Sequence, residues 1–392
     1  MTTAYARFRI RQRPIASARR PGQPPSERMQ QYRASGDAAA GERYTGITAG
    51  GAAVPGLFTI QKTGVSTEPI TKAAQTFLAL ASPAQRGQAQ FGLESDVWRR
   101  WSNIHVFTMR HGAWLEEMTA EQRGRALDLL RQSLSRSGFE TARNIMRLNE
   151  VIGEITGRWE EYGEWLYWLS IMGTPSADGP WGWQIDGHHL IVNCLILGDQ
   201  IVMTPMFMGS EPVSIDEGKY AGTSVFEAEQ ADALRFMQSL APEHRRKAVV
   251  AVDLPREVFT SAFRDNFELR YEGVGYNELS GSEQSQLLHL IELYAGRMRP
   301  GHAAVKMEEV KRHLADTHFA WMGGCAGDSV FYYRIHSPVI LIEFDHQSGV
   351  ALESETPSRD HIHTVVRTPN GNDYGKDLLR QHYERAHYAK SR

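Results

Sequence analysis

The sequence is poor in cysteine and has no long apolar run. Only two cysteines, Cys194 and Cys325, occur in 392 residues. Two cysteines cannot stabilise a chain of this size, so its stability must come from a hydrophobic core. The two are either free thiols or a single bridge, and buried free thiols are the favoured interpretation. No segment approaches the roughly 18 consecutive apolar residues that a membrane helix needs.

The sequence also lacks an excess of charge of either sign. It has 43 Lys and Arg against 46 Asp and Glu, a formal net charge of −3. This balance excludes a protein that binds nucleic acid by neutralising many phosphates, and it excludes an acidic disordered protein. The N-terminus is basic, but Pro, Gln and Ser stand where the apolar part of a signal peptide would be. We therefore expect a cytoplasmic protein with no nucleic-acid or membrane partner, and the oligomeric state stays open.

Hydrophobic residues make up 41% of the chain, which is ample for a large core. Residues 1–40 are rich in Arg, Pro, Ser, Gln and Ala without an apolar period, which predicts a disordered arm. Residues 41–392 are expected to form one domain. Its predicted parts are a helix-rich segment 68–172, a hairpin 181–208, helices over 224–316, a β meander over 317–368 and a final helix 373–388. Strands and helices grouped in this way favour an α+β fold, with a largely antiparallel sheet that carries the histidine motifs and is covered by helices.

The first candidate site is the tripeptide Gly187-His188-His189. On a strand, neighbouring side chains point to opposite faces of the sheet, so only one histidine would face the interior. Both faces are mixed in polarity, and the pattern does not decide which histidine is inside. Either histidine could be a metal ligand. The alternative is a structural role, with one hydrogen-bonded histidine in the interior and the other on the surface.

The second and third candidates lie on two extended segments near the C-terminus. His361 and His363 are two residues apart, on one face and about 7 Å apart along the strand, so their imidazoles can converge on one ion. Glu343 and Asp345 share one face of an otherwise apolar strand, where unpaired burial would cost several kcal/mol. They need a metal, another cation or water. The alternative is a solvated face, with salt bridges to arginines such as Arg334 or Arg367.

The combination of these motifs is more specific than its parts. The two segments are joined by the polar stretch 347–361 and can pair as antiparallel neighbours, which would bring the carboxylates beside the histidines. Two histidines and one carboxylate form the donor set of non-haem iron sites and of catalytic zinc sites. We therefore predict that a metal is held by His189, His361, His363 and Glu343, with His382 of the last helix as a possible extra ligand. The predicted catalytic residues are Glu343, Asp345, His188 and Arg367.

Several motifs together resemble one known family. They are GTPSADGPWGWQIDGHHLIVNCLILGDQIVMTPMFMGSEP, HIHTVV and NDYGKDLLRQHY, in this order along the chain. They resemble the "domain of unknown function 3500" family, over roughly Tyr44 to His387. The resemblance implies a single domain of α+β type, and it implies no activity. Function must therefore be argued from the residues.

The favoured interpretation is a metalloenzyme. A His/carboxylate set with open positions suits iron or copper, which favours an oxidoreductase acting on a small organic substrate. The alternative in the same site is a zinc- or manganese-dependent hydrolase. A non-catalytic protein, in which Trp181, Trp183, Trp321 and Tyr332 would stack on a ligand, is the third possibility. Serine-hydrolase and P-loop motifs are absent from the sequence.

Overall fold

The structure is a computed structural model that describes residues 27–104, 111–352 and 354–390, with the backbone alone for 386–390. The first part of the predicted arm, residues 1–26, lies outside these ranges. The α-helices within them are α1 (Glu27–Gly41), α2 (Glu68–Leu80), α3 (Pro83–Ala89), α4 (Ala120–Ser133), α5 (Arg136–Thr156), α6 (Glu227–Ser239), α7 (Pro242–Ala248), α8 (Gly281–Ala295), α9 (Pro300–Arg312) and α10 (Lys376–Lys390). None of them combines the length and hydropathy that a bilayer crossing requires.

The strands are mostly short and are concentrated in the middle and the last third of the chain. They are β1 (Ile47–Thr48), β2 (Gln90–Phe91), β3 (Ala113–Trp114), β4 (Tyr167–Met172), β5 (Trp181–Gly187), β6 (Leu190–Leu197), β7 (Gln200–Val202), β8 (Met206–Ser210), β9 (Ser214–Ile215), β10 (Thr223–Ser224), β11 (Val249–Ala251), β12 (Phe267–Glu268), β13 (Val274–Gly275), β14 (His318–Gly323), β15 (Phe331–His336), β16 (Leu341–Ser348) and β17 (Pro357–Arg367).

One large sheet organises the molecule. Its strands follow the order β11-β14-β15-β16-β17-β8-β6-β5-β4-β2, with β13, β3 and β7 pairing beside this path. All neighbours on the path pair antiparallel except β11 with β14 and β2 with β4, at its two ends. The predicted α+β fold with a largely antiparallel sheet is confirmed. The meander predicted over 317–368 corresponds to β14, β15, β16 and β17, which pair in sequence order.

Both faces of the sheet are covered, and alternation along each strand decides which residues face which cover. One face carries Leu190, Phe344 and Ile362 and packs against the larger helices, including α5, α6 and α8. The opposite face, here called the loop face, carries Ile191, Phe207 and Val365. It packs against Trp101, Val258 and Leu378, which come from two irregular segments and from α10. Since both faces are buried, polar groups on the loop face must find partners there.

The predicted disordered arm is wrong for residues 27–40, because residues 27–41 form α1. The ring of Tyr32 lies 5.0 Å from that of Phe263. The Arg99 guanidinium donates hydrogen bonds to the carbonyls of Ala39 (2.7 Å), Ala40 (3.0 Å) and Glu42 (2.6 Å). A cation bonded to the last carbonyls stabilises the end of a helix whose own sequence has little apolar character. That contact comes from a residue far along the chain, so local composition could not indicate it.

Two further predicted elements differ in their boundaries. The helix-rich segment 68–172 ends in a strand, β4, because the YWLSIM run is buried throughout in the sheet. The predicted hairpin 181–208 consists of four strands, β5 to β8, with a turn at Gly198-Asp199 and another at His188-His189. The second turn changes the geometry of the candidate site.

The aromatic side chains proposed as a ligand patch are core residues. Trp181, Trp183, Trp321 and Tyr332 are fully buried, and Trp321 stacks on Phe331 with ring centroids 4.3 Å apart. They cannot present a stacking surface to a ligand. The two cysteines are free thiols, and burial raises the pKa of Cys194.

Buried histidines of the sheet should make the fold sensitive to acid. Burial lowers the pKa of His336 and of His346 to about 3, from the ordinary value of about 6.5. The folded state therefore holds both neutral, while the unfolded chain takes up protons below about pH 6.5. Their contribution to stability is complete above that pH and is lost as the pH falls towards about 3. Each histidine should lower the free energy of unfolding by up to about 1.4 kcal/mol per pH unit.

Urea unfolding between pH 7.5 and pH 4.5, in the presence of a chelator, measures this dependence. In the variant His336→Phe, the free energy of unfolding should fall less steeply with decreasing pH, because one of the two histidines no longer contributes. A stability that stays constant from pH 7 to pH 5 would contradict the assignment.

Candidate metal centre

Strand β17 places His361 and His363 on the loop face of the sheet. They alternate with Ile362, which is fully buried among the apolar residues under the helices. The same alternation puts Val365 on the loop face, where it packs as expected. Because the period of a strand is two residues, both imidazoles project to the same side. The prediction that these two histidines share one face is confirmed.

His189 reaches the same place from a turn and not from a strand. His188 and His189 are the two residues that connect β5 to β6, and His189 adopts a left-handed conformation with φ of 62°. The expected alternation of the two histidines across a strand is therefore wrong. The carbonyl of His189 accepts a hydrogen bond from the amide of Gly209 (2.8 Å), which ties the turn to β8.

The strands that carry the two histidine motifs are central but not adjacent. Strand β8 lies between β17 and β6, and Gly209 of β8 is the register partner of His363. A Cβ at position 209 would stand 2.9 Å from Cδ2 of His363 and 3.2 Å from Cδ2 of His189. The glycine thus leaves the space in which imidazoles from both sides of β8 meet.

The three imidazoles converge through the same ring atom. Nε2 of His363 is 3.0 Å from Nε2 of His189 and 3.0 Å from Nε2 of His361, and the last two atoms are 3.2 Å apart. All three residues are at most 5% exposed. An ion with metal–nitrogen distances of about 2.0–2.1 Å separates its ligands by about 3.0 Å in octahedral and about 3.3 Å in tetrahedral geometry. The observed separations fit this range.

Hydrogen bonds on the far side of two rings fix their tautomers. Nδ1 of His361 lies 2.7 Å from the carbonyl oxygen of Ser348, and Nδ1 of His363 lies 2.7 Å from Oε1 of Glu257. A carbonyl or carboxylate oxygen only accepts, so each Nδ1 carries the proton and each Nε2 presents a lone pair. Two lone pairs that face each other at 3.0 Å require a cation between them. Burial, with the nearby His363, lowers the pKa of His361, which disfavours a proton in this position.

The group formed by His189, His361 and His363, here called the three-histidine group, could therefore hold a metal ion. Among the described residues, no carboxylate, thiol or fourth imidazole joins it closely enough to complete the donor set. Three protein nitrogens leave at least one coordination position for water or a substrate.

Glu257 and Asn103 are site residues that the sequence did not indicate. Glu257 accepts from His363 through Oε1 and from the side-chain amide of Asn103 through Oε2 (3.3 Å). The backbone carbonyl of Asn103 in turn accepts a hydrogen bond from the backbone amide of His189 (3.4 Å). Both residues come from irregular segments over the loop face, where no periodicity marks them. Gly209 did have a signal, since a glycine within a strand often marks a close approach of two groups.

Glu343 lies on the loop face, but it is not part of the three-histidine group. Its carboxylate accepts hydrogen bonds from the amides of Phe259 (2.7 Å) and Thr260 (2.9 Å), the hydroxyl of Thr260 and the hydroxyl of Tyr332 (2.7 Å). These bonds occupy both oxygens and anchor the covering loop to the sheet. The sequence predicted Glu343 as a metal ligand, but its buried carboxylate is stabilised by hydrogen-bond donors and not by a metal.

The sequence predicted that one of the two carboxylates would lie beside a histidine of the neighbouring strand, and Asp345 lies directly opposite His363 in the β16–β17 pair. Such cross-strand partners have Cβ atoms about 4.5–5.5 Å apart. Its Oδ2 accepts a hydrogen bond from Gln347, while the buried Oδ1 has no hydrogen-bond partner in the described part of the chain. Burial, followed by the charges of Glu257 and Glu343, raises the pKa of Asp345 well above its usual range. Asp345 is therefore the carboxylate beside the group that has an uncommitted oxygen.

The predicted catalytic residue His188 supports the group from behind. Its ring stacks on that of His189, with centroids 3.8 Å apart and an angle of 26° between the planes. Its Nδ1 lies 2.8 Å from Oδ1 of Asn149 on α5. His188 is therefore placed to orient the His189 ring, and its own nitrogens are not in the three-histidine group.

Arg367 shares a face with His363 but binds elsewhere. Its guanidinium donates to the carbonyls of Thr260 and Ser261 and to the carboxylates of Asp265 (2.8 Å) and Asp373 (3.2 Å). These bonds use all three of its nitrogens, and the side chain is fully buried. The structure gives Arg367 a role in holding the covering loop and the chain before α10.

His382 does not reach the three-histidine group. Leu378 and Leu379 of α10 are buried, but His382 is only half-buried and its ring packs on Tyr383 (5.6 Å), which is 38% exposed. The buried face of α10 therefore ends after its first turn, and His382 is not the extra ligand that the sequence suggested.

The fold and the site together define an α+β protein with a buried three-histidine group. A family model described as "Protein of unknown function (DUF3500)" matches residues 63–376, which is well over half of the chain. The chain belongs to this family, as the sequence motifs predicted. No curated protein and no solved structure matches it in the corresponding comparisons.

The glycine between the imidazoles offers a test of the site geometry. In Gly209→Ala, the new methyl group would stand 2.8 Å from the carbonyl oxygen of Ile362 besides its contacts with both rings. We expect the rings to move apart and the affinity for a divalent metal to fall by about 10–100-fold, the usual effect of disturbing the support of a metal ligand. Titration with zinc in competition with a chromogenic chelator measures this change. Gly87→Ala is the control, since nothing lies within 4 Å of a Cβ there; equal affinities in the two variants would refute the role of Gly209.

Proposed function

We propose that this protein is a metal-dependent enzyme that acts on a small organic substrate, with a divalent first-row transition metal on His189, His361 and His363. The observation that carries the proposal is the convergence of three buried Nε2 atoms, two of which have their tautomers fixed by acceptors on Nδ1. A histidine oriented by a carboxylate or carbonyl is the usual arrangement of a metal ligand.

The donor set favours zinc and hydrolysis. Three neutral imidazoles with a free coordination position form the donor set of a class of catalytic zinc sites. The two-histidine, one-carboxylate set that suits iron needs a carboxylate ligand, and Glu343 is engaged by Phe259, Thr260 and Tyr332. When bound by three neutral ligands, zinc supplies Lewis acidity and lowers the pKa of coordinated water to about 7.

The residues of this chain would then orient the substrate and move the proton. Glu257 holds His363 and strengthens it as a ligand. Asp345 is the candidate general base, because its Oδ1 is buried, uncommitted and on the strand next to His363. Burial of the group keeps bulk water out of the site.

An oxidoreductase with iron or copper is the second candidate. Imidazole donors also suit copper and iron, and the deep burial of the group would protect a redox intermediate from water. A non-catalytic ligand-binding protein is less supported, since the tryptophans that motivated it are core residues.

Elemental analysis of the purified protein, followed by assays with and without a chelator, tests the proposal. About one zinc per chain, together with chelator-sensitive hydrolysis of p-nitrophenyl acetate or bis(p-nitrophenyl) phosphate, would support the hydrolase. Iron or copper, with oxygen consumption, would support the second candidate. Asp345→Asn should retain the metal and lose the activity. A protein that contains no metal and binds none of zinc, copper or iron when they are added would overturn both.

A further inference from the structure

A buried carboxylate stands behind His361, as Glu257 stands behind His363. It belongs to Glu211, which follows the end of β8, two residues after Gly209, and is 2% exposed. Oε2 of Glu211 lies 3.7 Å from Nδ1 of His361. This distance is too long for a hydrogen bond but short for an electrostatic interaction. Glu211 is therefore close enough to influence the ring without being a ligand itself.

Backbone amides hold the Glu211 carboxylate in place. The amide of Leu352 donates to Oε1 (2.9 Å), that of Ala351 donates to Oε2 (3.0 Å), and that of Val350 is within reach of both oxygens (2.9 and 3.1 Å). Both oxygens accept, which is the pattern of an ionised carboxylate. Successive amides that converge on an anion in this way stabilise its charge without cancelling it. Glu211 thus brings a fixed negative charge into the interior.

This charge has no basic side chain as its counter-ion. Within the described ranges, His361 is the one basic residue that lies within 4 Å of the Glu211 carboxylate. A buried charge without a counter-ion is costly even when it is hydrogen-bonded. A cation bound to Nε2, on the other side of the His361 ring, would supply the missing positive charge.

The segment that holds Glu211 also holds His361. Residues 350–352 begin two positions after Ser348 in the connection from β16 to β17, and the Ser348 carbonyl is the acceptor for Nδ1 of His361 (2.7 Å). Glu211 therefore acts on His361 in two ways. It fixes the connection that carries the acceptor, and its charge favours a proton on Nδ1, which leaves Nε2 free to bind a metal.

A fixed negative charge near the centre also affects which ion is preferred. Coulomb energy is proportional to the charge of the ion, so Glu211 attracts a divalent ion twice as strongly as a monovalent ion in the same place. Imidazole ligands by themselves suit both zinc and copper. The carboxylate behind the ring, and not the donor set, then favours the divalent ion.

We propose that Glu211 is a positioning residue of the metal centre, which orients His361 and makes the three-histidine group selective for a divalent over a monovalent ion. The inference rests on the proposed function in one respect only, that a metal binds to this group. It does not depend on the reaction that the protein catalyses.

Zinc(II) and copper(I) are the probes, because imidazole binds both and they differ in charge. Competition with a chromogenic chelator measures the zinc affinity of the full chain, and competition with bathocuproine disulfonate under anaerobic, reducing conditions measures that for copper(I). In Glu211→Gln, which removes the charge, the zinc affinity should fall by about 10–100-fold. The copper(I) affinity should fall by the square root of that factor, about 3–10-fold. A merely structural role would weaken both ions equally.

Two further variants complete the test. Glu211→Asp withdraws the charge by one methylene group, so it should lose less zinc affinity than Glu211→Gln, and zinc should again lose more than copper(I). If Glu211→Gln does not fold, Glu211→Asp decides. Glu283→Gln is the matched control, because Glu283 is a buried carboxylate that accepts from the amides of Ala241 (2.8 Å) and Ser280 (2.7 Å) and lies outside the three-histidine group. It should leave both affinities unchanged.

The results that overturn the inference differ from those that overturn the proposed function. Equal losses for the two ions, or an unchanged zinc affinity, in the deciding Glu211 variant would reject the role of Glu211 and leave the metal centre in place. A natural chain that binds copper(I) but no zinc would reject the selectivity. A natural chain that binds neither ion would reject the zinc centre as well.

Discussion

Replacing His361 by alanine is expected to abolish metal binding while leaving the protein folded. His361 supplies one of three converging Nε2 atoms, and its loss leaves two ligands and a gap at the loop face. Two imidazoles cannot hold a divalent ion as three do, so the metal content should drop from about one ion per chain to less than about a tenth. Elemental analysis after gel filtration measures the content, and thermal unfolding shows whether the variant folds.

His382→Ala is the matched control for this loss. It removes the same side chain from α10, where the imidazole is half-buried and packs on Tyr383. The control should keep its metal. In the natural chain, a chelator should lower the unfolding temperature, since a ligand that binds only the folded state stabilises it. It should have no such effect on His361→Ala, and a variant that keeps its full metal content would rule out this centre.

Replacing Arg367 is expected to cause the second large effect, a loss of folding stability. Arg367→Met keeps an unbranched apolar stem but removes the guanidinium that pairs with Asp265 and Asp373. Asp373 is 1% exposed and would be left beside the core without its partner. Removing one member of a buried ion pair costs about 3–5 kcal/mol, because an uncompensated charge or a lost network of hydrogen bonds remains. Urea unfolding at pH 7 measures this loss.

Arg380→Met provides the comparison. Arg380 is exposed on α10 and pairs with Glu384 and Asp377 on the same helix, so its removal should change stability by less than about 1 kcal/mol. The metal content per folded chain of Arg367→Met should equal that of the natural protein. A stable Arg367→Met variant that lacks its metal would contradict this assignment. It would show that Arg367 acts in the metal centre, as the sequence predicted.

The histidine pair of β17 shows what a local pattern can establish. Alternation alone predicts that His361 and His363 share a face, and the pairing of β16 with β17 follows from two extended segments joined by a polar connection. The sequence also predicted that Glu343 or Asp345 would lie beside one of these histidines, and the register of the pair sets Asp345 opposite His363. These features depend on a period of two residues and on neighbours in the chain, which the sequence displays directly.

The fate of Glu343 shows where the local pattern ends. A carboxylate in an apolar strand needs partners, and the sequence raised this question correctly. The partners are two amides and a hydroxyl from a loop some 83 residues earlier in the chain, together with Tyr332 on the next strand. Nearly every residue has a backbone amide and a carbonyl, so the residue types do not indicate which of these groups will be a partner. The contact between Arg99 and the carbonyls at the end of α1 could not be predicted for the same reason.

By itself, the sequence determined the α+β class, the antiparallel meander and the shared face of His361 and His363, because these depend on residue type and periodicity. Its pattern did not decide whether His188 or His189 faces the interior, and it counted Glu343 among the ligands. Only the tertiary structure decided that His189, His361 and His363 meet. His189 and His363 are 174 positions apart, and they come together because a turn lifts His189 towards β8 and Gly209 has no side chain to keep the rings apart. The acceptor on His363 comes from a loop 106 positions away. Such contacts depend on how distant segments pack, which periodicity along the chain does not specify.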